Sequence, residues 1–297
     1  MVVTTLYRKK TKNIDWFRIV CVVPFLFVSL NSIASDNIFL QERLDSHGIF
    51  PDIKLGWRSY NYEVDGDQVF DANFPSLRVG LFGILKNGFF GHGYYEFSLG
   101  DGDGVVESAW NGEDNSNRNL GPAVNFKRTD WAVLSGFLIP HKWKDDVDLG
   151  IFAGYKSGNS KADFVPYLNT QQQTIDFKYD LVSAGPFVGV GTGIRVGNFG
   201  IFGVRIAYAW LNTDVTRKTN FSGITDTTVF NGNGSGISVG GSWIGSLTQK
   251  IQYTVGVDWH NYNYSDLEGI VNNNPETHPS IVESQITGRV GVTYIFP

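Results

Sequence analysis

The 297-residue chain holds one cysteine and one methionine. Cys21 falls inside an early apolar run, so the chain beyond it has no disulfide of its own. It does not stand at a cleavage point either, so a lipid-anchored protein is not expected. Long apolar runs are also missing. Beyond residue 34 nothing approaches the ~20 consecutive apolar residues that a spanning helix needs, which excludes a helical membrane protein. Charge of one sign is scarce: 24 Lys and Arg stand against 29 Asp and Glu, for a net −5. Such a balance lacks the basic stripe of nucleic-acid binders, so no nucleic-acid partner is expected. The five histidines lack metal-ligand spacing, so neither a metal nor another cofactor is expected.

What is abundant points one way. The chain carries 35 Gly, 22 Phe, 13 Tyr and 8 Trp. Aromatic and β-branched residues suit a pleated surface, and glycine marks turns and crowded interiors. The opening residues form a unit of their own. Arg8, Lys9, Lys10, Lys12 and Arg18 are a basic lead, Ile19 to Leu30 is a short apolar run, and Ser32-Ile33-Ala34 supplies small residues before a cut after Ala34. That order predicts a secretory signal at 1–34, then an N-terminal periplasmic segment at 35–49 and a barrel at 50–297.

From residue 50 apolar and polar residues alternate with period two, in stretches of about ten. Ile53, Leu55 and Trp57 share one face; Asp52, Lys54, Arg58, Tyr60 and Tyr62 share the other. Further strands are expected near 77–85, 89–99, 129–139, 147–156, 180–195, 199–212, 236–247, 250–264 and 282–296. The last is the clearest, with Ile286, Val290, Val292, Tyr294 and Phe296 opposite Glu283, Gln285, Thr287, Arg289 and Thr293.

A soluble β-sandwich alternates too, with its apolar face inward. Loop lengths separate the two. Short connections near Lys86-Asn87-Gly88, His141 to Asp146, Gly197-Asn198 and Ser246 to Lys250 alternate with long ones near 65–74, 100–127, 157–178, 213–233 and 265–280. Short periplasmic turns with long outer loops belong to outer-membrane barrels. Trp57, Tyr155, Trp210, Trp259 and Tyr294 are expected at strand ends as interfacial girdles. The fold class is therefore an all-β, transmembrane antiparallel up-and-down β-barrel of about ten strands, with eight or twelve as alternatives. Its polar face predicts a charged lumen holding Lys54, Arg58, Arg78, His92, Glu96, Asp148, Lys156, Arg195, Arg205, Asp258, His260, Glu283 and Arg289. Buried charges need partners or water, so an ion-pair network is expected there rather than a dry core. An interior so filled is too narrow for an open general porin.

Several segments resemble the omptin family of outer-membrane proteases. They are Val124-Asn125-Phe126, Gly136-Phe137-Leu138-Ile139, Leu149-Gly150-Ile151-Phe152-Ala153-Gly154-Tyr155-Lys156, Pro186-Phe187-Val188-Gly189, Tyr208-Ala209-Trp210 and the ending Gly291-Val292-Thr293-Tyr294-Ile295-Phe296. The resemblance implies a ten-stranded barrel and endopeptidase cleavage at the outer rim, by water activated between an Asp–Asp and an Asp–His pair. It carries Asp101 and Asp103 over as the Asp–Asp candidates. Two close carboxylates resist joint ionisation and can share a proton, while Asp-Gly-Asp-Gly is also ordinary turn chemistry. At the second pair the chain reads Asp214-Val215-Thr216, with no histidine to act as base. Asp258 and His260 form an Asp-x-His elsewhere, expected to face the lumen near the outer end of the ninth strand.

The remaining motifs are weaker. Asp- and Gly-rich stretches at 100–104 and 111–119 lack the closing glutamate of a calcium loop. Gly189-Val190-Gly191-Thr192-Gly193 lies in a strand with no helix after it, so it is not read as a phosphate loop. Arg128 and Lys156 are candidates for lipopolysaccharide phosphates. Two functions of different class follow: an omptin-like endopeptidase or an inactive relative, and a non-enzymatic barrel acting as adhesin, envelope-interaction or structural protein. A narrow channel comes third. Expected partners are outer-membrane lipid, lipopolysaccharide and extracellular polypeptides.

Overall fold

A computed structural model describes residues 48–296 except 66, 86, 107–123, 140–146, 169–173, 198, 222 and 272–273. The expected signal and its cut, His47, His141 and the 111–119 stretch lie outside the described residues.

Among the described residues twelve strands make one antiparallel sheet: β1 (Gly48–Val64), β2 (Asp67–Ile84), β3 (Phe89–Ser98), β4 (Gly102–Val106), β5 (Val124–Ile139), β6 (Val147–Leu168), β7 (Thr174–Val196), β8 (Gly200–Phe221), β9 (Ile224–Ser246), β10 (Ile251–Val271), β11 (Asn274–His278) and β12 (Ile281–Tyr294). Successive staves pair, and β12 returns to β1 with Leu55 opposite Val290. The ring of staves therefore closes on itself. Strand β4 continues the line of β3, since both lie between β2 and β5, and β11 leads into β12 along β10. Ten staves result, as the alternation predicts.

Connections at the end carrying Gly48 and Tyr294 are short. Gly88 takes φ 84° and its N–H donates to the Leu85 carbonyl at 3.0 Å, a backbone setting that a side chain would strain. The opposite end departs from expectation. The loops expected at 65–74, 157–178, 213–233 and 265–280 are mostly strand, as β2, β6, β7, β8, β9, β10 and β11 run into them. With 22 residues, β8 is about 70 Å long and rises about 55 Å at a tilt of ~40°, twice the ~25 Å apolar band of such barrels.

The excess length is explained by a reversal of polarity at the aromatic ring. Below it, β8 turns Phe202, Val204, Ile206, Tyr208 and Trp210 outward, all more than a third exposed. Beyond Trp210 the outward residues are Asn212, Asp214, Thr216 and Lys218, while Leu211 and Val215 are buried inside. Strand β1 does the same on either side of Trp57. The tryptophans expected at strand ends thus sit near mid-strand, where an apolar belt gives way to a projecting half with an inner core.

Candidate functional site

The interior is layered. Nearest the terminal end lies a cavity of about 450 Å³. Glycines at 191, 193, 203, 240 and 256 line it and leave it room. At Gly240 a Cβ would come within 2.3 Å of Asp258 Oδ1 and 2.8 Å of Arg205 Nε, so the missing side chain makes space for that ion pair.

Above the cavity the charges predicted for the lumen meet. Glu96, fully buried, accepts from three guanidinium groups: Arg58 at 2.8 Å, Arg78 at 2.6 Å and Arg289 at 2.9 Å. Ser76 Oγ donates to it as well, at 2.8 Å. Arg58 also reaches Asp130 at 2.5 Å, and Arg128 joins Asp130 at 3.0 Å to Glu283 at 2.9 Å. Asp258 is shared by Arg289 and Arg205, the latter at 2.5 Å. Charges this deep are tolerated because each meets several partners.

Asp130 and Arg128 were not among the predicted lumen residues. Both lie on the inward phase of β5, and the signal was there: continuing the alternation back from Ala132 and Leu134 places them inside. Arg128 is 4% exposed, and the Lys156 ammonium meets the Tyr262 hydroxyl and ring inside the barrel. Neither side chain therefore lies on the outer surface, which corrects their reading as lipopolysaccharide contacts.

The projecting half is different again. Tyr62, Phe70, Phe74, Phe126, Leu181, Val215, Phe230, Tyr264, Leu267 and Ile281 fill it with a buried apolar core. Tyr62 and Tyr179 hydrogen-bond through their hydroxyls there, and burial pushes both hydroxyls above the ordinary tyrosine range. This layer is packed with apolar side chains where a charged, watered lumen is expected throughout, and its polar residues lie on the outer face instead.

The candidate catalytic residues fall in separate places. Asp101 lies in the break between β3 and β4, after Gly100 at φ 93°. Its carboxylate is half exposed and accepts from Lys127 Nζ at 2.8 Å. That hydrogen bond, with the attraction between the charges, holds the Lys127 ammonium above the usual lysine range. Asp103 is in β4, paired with Asn73 and Asn125. Asp258 and His260 face the lumen as expected, but at mid-strand rather than near the outer end. His260 Nδ1 lies 2.8 Å from Ser238 Oγ and 3.3 Å from the Tyr262 hydroxyl. Of the other described histidines, His92 faces Asp52 at 3.5 Å, and His278 is buried against Phe230 with Nδ1 2.8 Å from the Pro279 carbonyl. The hydrogen bonds and ion pairs described here do not join the Asp101 region to Asp258 or to a histidine.

No family profile matches the chain, and no curated protein matches it in sequence. Solved structures do resemble it. The outer membrane protease OmpT from Escherichia coli superposes with a TM-score of 0.58 at 16% identity, covering 84% of this chain and 98% of that one. The fold is that of an omptin-like outer-membrane barrel. The translocator domain of the autotransporter NalP from Neisseria meningitidis also matches, at a TM-score of 0.47 and 14% identity over 86% of this chain and 92% of that one. At such identities the omptin likeness establishes how the staves are arranged, and the chemistry has to be argued from the residues themselves.

Proposed function

We propose that this omptin-like barrel is a closed, non-conducting surface protein whose projecting half stands outside the cell as a rigid platform for an extracellular polypeptide. One observation carries this reading. The apolar core from Tyr62 to Ile281 fills the projecting half above the ion-pair layer, and within that layer a void of about 10 Å³ lies among Arg58, Arg128, Asp130 and Tyr262. That void holds one water at most, and the packed core above it supports a tube closed to solute along its axis. Such a core is also what a stable platform needs, since it fixes ribbons that would otherwise be flexible loops.

Orientation follows from the same layers. Short connections and both strand termini on one side, with long polar ribbons on the other, support a periplasmic terminal end and an extracellular projecting end.

A second reading, endopeptidase activity at the rim, is favoured by one feature. The break between β3 and β4 sets Asp101 and Asp103 two residues apart beside the projecting half. Against it stands the engagement of Asp101 by Lys127, with the described histidines bonded elsewhere.

Refolded protein with lipopolysaccharide decides between these readings. In a planar bilayer the platform reading expects no conductance steps, and with fluorogenic basic peptides no cleavage. Steady conductance would overturn the closed tube. Cleavage that disappears in Asp101→Ala would establish the peptidase instead.

A further inference from the structure

The cavity at the terminal end takes no part in the reading above, and its walls are not uniform. Its mouth is ringed by apolar side chains at the strand ends, among them Ile84, Phe90, Leu138, Ile201 and Ile244. Further in, Leu134, Phe152 and Phe187 form an apolar wall on β5, β6 and β7, with the Phe152 and Phe187 rings 6.2 Å apart. The opposite wall, on β8 to β10 and β12, is glycine-rich and polar. The floor is cationic. Arg78 and Arg289 reach it from the Glu96 cluster, Arg205 enters from the side, and Lys156 closes it with a phenol rather than a carboxylate as partner.

The charge count at that floor is unbalanced. Among the described residues, six cationic side chains (Arg58, Arg78, Arg128, Lys156, Arg205, Arg289) share the mid-lumen layer with four carboxylates (Glu96, Asp130, Asp258, Glu283). Lower down, Lys54 and Asp52 neutralise one another at 2.9 Å, and Asp148 lies towards the mouth at the start of β6. An anion at the floor would therefore supply missing charge, whereas a cation would add to an existing surplus.

We infer that the cavity is a binding site for a single-chain carboxylate amphiphile, taken in head first from the terminal end. The carboxylate meets Arg205, Arg289 and Lys156 at the floor, and the tail lies on Leu134, Phe152, Phe187 and the apolar mouth. The volume of about 450 Å³ is within the range of small-molecule pockets. From Ala132 to Leu138 the wall rises about 20 Å along the strand and about 15 Å along the axis at a tilt of ~40°, which suits a tail of about ten carbons. This inference is independent of what the outer rim does.

The test uses the full barrel in phosphatidylcholine nanodiscs, titrated with decanoate labelled at its carboxyl carbon and read by NMR against protein-free nanodiscs. One saturable site per barrel is expected, and decyltrimethylammonium, with the same tail and opposite charge, should not compete. Gly191→Leu fills the cavity without removing a charge. A Cβ there meets Val204 O at 3.4 Å and Arg205 Cβ at 3.7 Å, which are ordinary contacts. It should weaken decanoate binding by about tenfold or more. Arg205→Gln removes one charged donor and should weaken it about fivefold, with Asp258 still held by Arg289. Heat-dependent gel migration checks that each variant is folded, and if Arg205→Gln fails to fold, Gly191→Leu remains decisive. Labelled decanoate behaving as in empty nanodiscs would overturn the inference. So would equal competition by the cationic amphiphile, or unchanged affinity in folded Gly191→Leu.

Discussion

The belt half and the projecting half of this barrel use the same strands with opposite polarity. In the belt, apolar side chains such as Ile206 face lipid and charges such as Glu96 face in; beyond Trp210 and Trp57, polar side chains face water and rings such as Phe126 face in. One wall is thus held from within by ion pairs and the other by a hydrophobic core. The lesson is that the solvent outside decides which face of a closed sheet becomes its interior glue. Lipid cannot drive apolar side chains inward, so the belt must be held by charge and hydrogen bonds, while water does so readily in the projecting half.

The sharpest way to break the belt is to remove its shared carboxylate. Glu96→Gln leaves Arg58, Arg78 and Arg289 around a neutral amide in a buried layer. A cost of about 3–5 kcal/mol is expected, as for breaking buried pairs elsewhere. Urea unfolding of the refolded protein measures it. A loss below about 1 kcal/mol, the level of a surface pair, would mean water already screens the layer and the contrast between halves is false.

The outer surface offers a matched pair on one strand. Ile206→Lys puts a charge in the middle of the apolar belt and should cost about 2–4 kcal/mol. Asp214→Lys, on the same face beyond Trp210, should stay within about 0.5 kcal/mol. Equal costs would show that the belt does not end at the aromatic ring.

This pair also explains what the sequence made legible. Ten staves were readable because each belt segment alternates cleanly, β12 above all, with Val290, Val292 and Tyr294 outward opposite Arg289 and Thr293. The projecting extensions were not. Past the aromatic ring the polar residues change sides, so Asn212, Asp214 and Thr216 read as loop although Leu211 and Val215 still mark a strand. The interior charges were mostly found for the same reason, since their phase is fixed by the belt. Asp130 and Arg128 escaped because they sit just past Trp131, where the apolar outer partners stop. The rim is a different case. Asp101 and Asp103 could be noticed by spacing, but whether an imidazole meets them depends on which staves the closure brings together, and local pattern does not encode that.

A smaller change tests the inner core of the projecting half. Ile281, fully buried between Val64 and Tyr264, should lose about 0.5–1.5 kcal/mol on replacement by valine. Ile237→Val, on the lipid face of the belt, should be nearly neutral, because a methylene missing there is replaced by lipid rather than by a void. Similar losses at both sites would mean that the two apolar surfaces are packed alike.

The smallest expected effect concerns Asp101, on the projecting half and outside both interiors. Its one described partner is Lys127, and both side chains are largely in water. The carboxylate raises the Lys127 ammonium above the ordinary lysine range, so their attraction is present below that range and is lost as pH rises through the folded-state value. Asp101→Asn should return the Lys127 titration to the usual lysine value, read by NMR at Nζ or Cε, while the unfolding midpoint stays unchanged. A clear drop in the midpoint would show that an exposed pair braces the projecting half, and its stability would then no longer rest on the core alone.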